Sequence, residues 1–98
     1  MEIEFEDEEL DQLETQVGFY AGYSASIVTV YRKRIQFIRA AIDERAFYAM
    51  KSLHFEKLKG ARVGQYSLRL NEQWRLIIRF KSKGGNKIVA VISIEDYH

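Results

Sequence analysis

Along the first residues, polar Glu2 and Glu4 alternate with apolar Ile3 and Phe5, a period of two that predicts a half-buried strand. From Asp7 the spacing changes to three and four. Leu10, Leu13 and Val17 share one stripe, which predicts a helix. Acids crowd its first turn, where the positive end of the helix dipole favours them. Gly18 and Gly22 mark an aromatic-rich connection containing Phe19, Tyr20 and Tyr23. After Ser24 or Ser26, either of them a suitable N-cap, Ile27, Val30, Tyr31, Ile35, Ile38, Ala41 and Ile42 trace a second helical stripe. A further short helical turn is expected over 46–50.

The period then returns to two. Tyr66, Leu68 and Leu70 alternate with Gln65, Ser67 and Arg69, and Trp74, Leu76, Ile78 and Phe80 alternate with Gln73, Arg75, Ile77 and Arg79. Gly84-Gly85-Asn86 reads as a turn. The run Ile88-Val89-Ala90-Val91-Ile92 is apolar on both faces, as a central strand requires. With no proline, no Gly/Ser-rich linker and no repeat, residues 1–98 are expected to form one domain. The order β-α-α-β-β-β predicts an α+β fold with two N-terminal helices on one face of a small, mainly antiparallel sheet.

The pattern also sets the hairpin register. If residues 71–73 form the loop, Leu70 faces Trp74, Leu68 faces Leu76 and Tyr66 faces Ile78, all on one side. The other side then pairs Arg69 with Arg75, Ser67 with Ile77 and Gln65 with Arg79. A two-residue loop would mix the faces, and a one-residue slip exchanges every side chain's face. The favoured register sets two arginines opposite each other, which is destabilising where an opposite-charge pair would add about 0.2–1 kcal/mol. Arg69, Arg75 and Arg79 on the face away from the helices therefore read as a preformed anion site, because guanidinium forks suit phosphate oxygens. The competing explanation is that an acidic segment neutralises them, either the chain's own start or a partner.

Charge sharpens this picture. Fifteen Lys and Arg against fourteen Asp and Glu leave a net charge of +1, yet residues 1–16 hold eight acids and no base. Residues 51–87 hold ten bases against Glu56 and Glu72 alone. A charge run taken by itself is most often a solvated surface; combined with the hairpin it predicts a basic face for a polyanion. Lys57, Lys59 and Arg62 add three cations just before the hairpin. Zero Cys excludes disulfides, thiol nucleophiles and thiolate metal sites, and two His far apart leave little for zinc. No metal or other cofactor is expected. No apolar run approaches the roughly 18 residues of a membrane helix, and no secretory signal opens the chain, so the expected location is the cytoplasm. The chain closes on Glu95-Asp96-Tyr97-His98, where a carboxylate, a phenol and an imidazole supply proton-transfer groups and a stacking ring. Such a terminus is otherwise a frayed tail, and His54 by itself is an ordinary partly buried histidine.

Three segments taken together are more specific. Lys57-Leu58-Lys59-Gly60-Ala61-Arg62, the hairpin Gln65-Tyr66-Ser67-Leu68-Arg69-Leu70-Asn71-Glu72-Gln73-Trp74-Arg75-Leu76, and the terminal Asp96-Tyr97-His98 resemble the HigB toxins of type II toxin–antitoxin systems, within the RelE/ParE superfamily. The resemblance implies a RelE-like fold and a ribosome-dependent mRNA endonuclease, neutralised by a helix-turn-helix (HigA-type) antitoxin. Operator DNA would be reached only indirectly, through that antitoxin. It implies anion-binding and transition-state roles for Lys59, Arg62, Arg69 and Arg75, and acid/base or orienting roles for Asp96, Tyr97 and His98. Lys57 and Arg79 join the RNA-binding set through their place on the basic face. Some family members carry a functional His four positions before the loop glycine. This chain has Glu56 there, and His54, two positions earlier, is equivalent only through a shifted alignment. A ParE-like inhibitor of DNA gyrase shares the fold, and a non-catalytic nucleic-acid or antitoxin-binding module would keep the arginines without needing the terminus.

Overall fold

The structure, a computed structural model, describes residues 1–97; His98 lies outside the described residues. Strand β1 (Glu2–Phe5) leads into helices α1 (Glu8–Thr15), α2 (Ala25–Ala40) and the short α3 (Arg45–Ala49). A 3-10 turn over Lys51–Leu53 precedes β2 (Glu56–Lys57), and another over Gly60–Arg62 precedes β3 (Gln65–Arg69). Strands β4 (Trp74–Lys83) and β5 (Asn86–Asp96) complete the chain. The five strands form one sheet in the order β1-β5-β4-β3-β2. Only the β1–β5 pair is parallel. The α+β fold with helices on one face of a mainly antiparallel sheet is as expected, but the sheet has five strands rather than four. The addition, β2, is two residues long and pairs with Tyr66 and Ser67 at the edge, too short to leave an alternating signature.

Local chemistry sets the helix ends. The Asp7 carboxylate accepts from the Glu9 N–H at 2.9 Å and caps α1, while the Ser24 hydroxyl accepts from the Ile27 N–H at 3.3 Å and caps α2. At the far end of α1, the Arg32 guanidinium donates to the Leu13 and Gln16 carbonyls, satisfying groups the helix leaves orphaned. Helix α1 closes at Thr15, so Val17 stands 98% exposed instead of extending the stripe. Ile42 likewise falls past the end of α2 and is exposed.

The core lies between the helices and one sheet face. Leu68, Leu70, Leu76, Ile78, Val89, Val91 and Ile94 meet Leu10, Leu13, Ile27, Val28, Tyr31, Ile35 and Ile38, with Phe47 from α3. Each such aliphatic side chain contributes about 1.5–3 kcal/mol on burial. The hairpin register is the one the pattern requires: Tyr66 opposite Ile78, Leu68 opposite Leu76 and Arg69 opposite Arg75. Asn71 builds the turn, its side-chain oxygen accepting from the Gln73 and Trp74 N–H groups at 2.8 and 2.7 Å.

Between β4 and β5 the register shifts by one residue. Ile77 lies opposite Ser93, but Ile78 lies opposite Val91, leaving Ile92 as the extra residue of a bulge. Odd-numbered Val89 and Val91 therefore face the core, whereas odd-numbered Ser93 and Glu95 face the other side with Ile77 and Arg75. The bulge turns Ser93 and Glu95 to the arginine face, and leaves Ile94 and Asp96 on the register of Leu76 and Trp74.

Candidate active site

Arg69 and Arg75 sit side by side on the sheet face away from the helices. Arg75 is buried, with 8% of its surface exposed. Its Nη1 donates to the His54 carbonyl at 3.3 Å, the centroid of the Tyr97 ring lies 4.6 Å from its Cζ, and its Nε has no partner among the described residues. A buried donor left unmade costs about 1–3 kcal/mol. Arg69 donates through Nε to the Asn71 carbonyl at 3.3 Å and through Nη1 to His54 Nε2 at 2.9 Å. Its contact with the exposed Glu72 carboxylate is loose, at 3.8 Å.

His54 joins the two arginines. The 3-10 turn Lys51–Leu53 ends on it, and its backbone takes the left-handed conformation, with φ 46° and ψ 49°. That conformation costs an L-residue roughly 1–2 kcal/mol, a strain that persists where surrounding contacts hold it. The turn brings the His54 carbonyl to Arg75 and its ring to Arg69 in a single step. A guanidinium cannot accept, so Nε2 is the acceptor and the ring proton sits on Nδ1. His54 therefore enters the site through geometry rather than through its place in the loop.

The C-terminal residues close the other side. Asp96 pairs with Trp74 across the strands, and its carboxylate accepts from the Gln73 side-chain amide at 3.1 Å. The Tyr97 N–H donates to the Gln73 carbonyl at 2.6 Å, which fixes the backbone and swings the ring over Arg75. Residues up to Tyr97 are thus a continuation of the sheet and not a frayed tail.

The loop cations separate. Arg62 makes a bidentate pair with Glu95, both distances 2.6 Å, and also donates to the Gln65 side chain at 3.1 Å. The hydrogen bonds from Arg62 hold the Glu95 carboxyl below its usual range, and those bonds raise the guanidinium in turn. Lys59 is exposed at the start of the 3-10 turn. Lys57 shares the register of Tyr66 and so belongs to the helix-side face at the sheet edge, apart from the arginine pair. Arg79 lies further along β4 and is held by Glu6 at 2.8 Å, beside a Lys81–Glu4 pair at 3.2 Å. The acidic start of the chain thus neutralises Arg79 but not Arg69 or Arg75. Sequence reasoning named Glu95 in the terminal segment without giving it a role and missed Gln73; the place of Gln73 in the hairpin loop was the available signal, whereas the place of Glu95 opposite Arg75 follows from the bulge. Among the described residues, no group of three or more His, Asp or Glu is arranged to hold a metal ion, and no helix is long and apolar enough to cross a membrane.

Two cations sharing one face, a buried guanidinium N–H with no partner among the described residues, an imidazole and a phenol make up an arrangement whose chemistry suits a phosphodiester, with the Asp96 carboxylate at the strand end on the Trp74 register. Comparisons with known proteins agree with this architecture. Among solved structures, the chain resembles a YoeB/ParE toxin from Agrobacterium tumefaciens at 20% identity, with all of both chains covered and a TM-score of 0.62. It also resembles the YoeB dimer from Staphylococcus aureus at 20% identity and a TM-score of 0.53, covering 100% of this chain and 97% of that one. At such identities the likeness speaks for the fold. No curated protein sequence matches. A family profile described as the RelE-like toxin of type II toxin–antitoxin system HigB matches residues 3–98, so the chain belongs to the HigB-like toxins.

Proposed function

We propose that this chain, as one toxin domain over residues 1–98, is a ribosome-dependent endoribonuclease that cuts mRNA and thereby stops translation. The observation carrying this reading is the convergence of Arg69 and Arg75 on His54, with Tyr97 over a buried guanidinium whose Nε lacks a partner among the described residues. In the proposed reaction the 2′-hydroxyl attacks the adjacent phosphorus and the 5′-oxygen leaves. A 2′,3′-cyclic phosphate remains on one fragment and a 5′-hydroxyl on the other. The 2′-hydroxyl proton passes to a base and the leaving oxygen takes a proton from an acid, so no metal or cofactor is needed. Arg75 and Arg69 stabilise the charge that builds on the phosphoryl oxygens. His54, Asp96 and His98 are the proton carriers. When Arg69 turns to phosphate it releases His54 Nε2, freeing a lone pair next to the reacting group. Tyr97 orients Arg75 and offers a ring for a base. Lys59 and, at the edge, Lys57 attract the backbone, while Arg79 contributes only where Glu6 yields it.

The partners that follow are a HigA-type helix-turn-helix antitoxin, the ribosome and its mRNA, in the cytoplasm. The test is primer extension on mRNA bound to programmed ribosomes, with free RNA as control. We expect cuts within the codon in the decoding site and little cleavage of free RNA, unaffected by chelator at levels that leave ribosomes intact. Supercoiling defects without cuts would favour a gyrase inhibitor. Neither effect would leave a non-catalytic binding module.

A further inference from the structure

The strongest contact on the arginine face joins two residues that the proposed chemistry does not use. Arg62 belongs to the 3-10 turn between β2 and β3, whereas Glu95 belongs to β5. Strand β4 lies between β3 and β5, so this fork-to-fork pair and the Arg62–Gln65 bond span the sheet over β4. Ser93 donates to the same carboxylate at 2.7 Å and holds it from its own strand. Residues Asp96 and Tyr97 follow Glu95 directly, and Glu95 sits opposite Arg75. Three segments of the site are thereby tied at one point: the lysine loop, the strand carrying Arg75 and the strand end carrying Asp96 and Tyr97.

Arg62 looks like one more phosphate-binding cation in the sequence, but its fork is already occupied. Freeing it for phosphate would leave Glu95 uncompensated beside the substrate, a like-charge penalty where charge must be stabilised. We infer that Arg62 and Glu95 are positioning residues: their ion pair clamps the Lys57–Arg62 loop to the end of β5 and sets the place of Tyr97 and Asp96 relative to Arg75. This inference rests on the endoribonuclease reading above. The mechanism is geometric, since a displacement of about 1 Å at a reacting group can cost on the order of 100-fold in rate. It carries the opposite sign from direct phosphate binding. If Arg62 held phosphate, neutralising Glu95 would release it and raise activity; if the pair is a clamp, neutralising Glu95 lowers activity as much as removing Arg62.

The experiment is a double-mutant cycle of Arg62→Gln, Glu95→Gln and both together. It reads single-turnover cleavage of ribosome-bound mRNA, the ribosome concentration at half saturation, and thermal melting. We expect each single variant to lose roughly 10- to 100-fold in the saturated rate, within the range a misplacement produces. The double variant should be no slower than either single one, half saturation should change little, and melting should stay close to wild type. Arg62→Lys, which keeps charge without the fork, should recover only part of the rate. Full or increased cleavage by Glu95→Gln would overturn the inference, as would losses that multiply in the double variant. Loss explained wholly by unfolding would also overturn it and make the pair merely structural. A wild-type protein that cuts no ribosome-bound mRNA would instead remove the endoribonuclease reading, and this inference with it.

Discussion

Replacing Arg75 by Met separates the cost of the arginine from its use. Four effects decide the stability of the free protein. The change deletes the bond to the His54 carbonyl, whose length of 3.3 Å puts it at the low end for a charged donor, a net loss of about 1.5 kcal/mol. It also deletes the contact with the half-exposed Tyr97 ring, worth about 0.5–1 kcal/mol. Against these, it removes the repulsion from Arg69 directly opposite, about 0.2–1 kcal/mol. It further removes a buried Nε donor that has no partner among the described residues, whose burden is about 1–3 kcal/mol. Met keeps most of the side-chain length and packs well against an aromatic ring. The balance is a stability within about 1 kcal/mol of wild type, well inside the usual spread of point substitutions. Cleavage should nevertheless fall roughly 100- to 1,000-fold, the loss typical of deleting one transition-state donor. Urea unfolding measures the first quantity. Trp74, the one tryptophan, lies beside the substituted position and reports the site end of the sheet; circular dichroism reports the helices. Coincident transitions establish that a single free energy is being compared. Destabilisation beyond about 2 kcal/mol would show that Arg75 is there for the fold, and wild-type cleavage would show that it does not meet phosphate.

Two further outcomes follow from the geometry. His54→Gly should be more stable than His54→Ala by about 1 kcal/mol, because only glycine adopts φ 46° without strain, and both should cleave far more slowly than wild type; an alanine variant at least as stable as the glycine one would refute the left-handed turn. Tyr31→Phe, which removes a buried hydroxyl donating to the Leu10 carbonyl at 2.6 Å, should lose about 1 kcal/mol in urea melts with cleavage unchanged. An unshifted midpoint would mean that this bond contributes nothing between α1 and α2.

The free protein keeps repulsive arginines together because other contacts outweigh them. The three-residue loop is locked by Asn71, Leu68 and Leu76 are fully buried, and a one-residue slip would turn that apolar face to water. The register is therefore imposed from the helix side, and the arginine side accepts its consequence. Arg79 shows the ordinary solution on the same face: an acid from β1's end neutralises it. Along one strand, Arg79 is neutralised and Arg75 is buried without a carboxylate partner among the described residues, the contrast on which the proposed role of Arg75 rests.

What the sequence by itself determined is whatever depends on neighbours in the chain. Alternation on both sides of a three-residue loop set the hairpin register and put Arg69 opposite Arg75, because side-chain direction in a strand has period two. The stripe from Ile27 to Ile38 set α2 in the same local way, with Ser24 and Ser26 both open as its cap until the structure chose Ser24. What depends on distant contacts was decided by the tertiary structure alone. The bulge at Ile92 reverses the parity of β5, and without it Glu95 would face the core with Val89 and Val91; an unbroken apolar run carries no mark of that reversal. His54 reaches Arg69 and Arg75 only because the 3-10 turn after α3 packs beside β3 and leaves it in a strained left-handed turn. Arg62 looks free in the chain, yet its partner is thirty-three residues away across a strand. Periodicity is a property of a few adjacent residues, whereas the pairing of charges follows from where the closed sheet brings its ends.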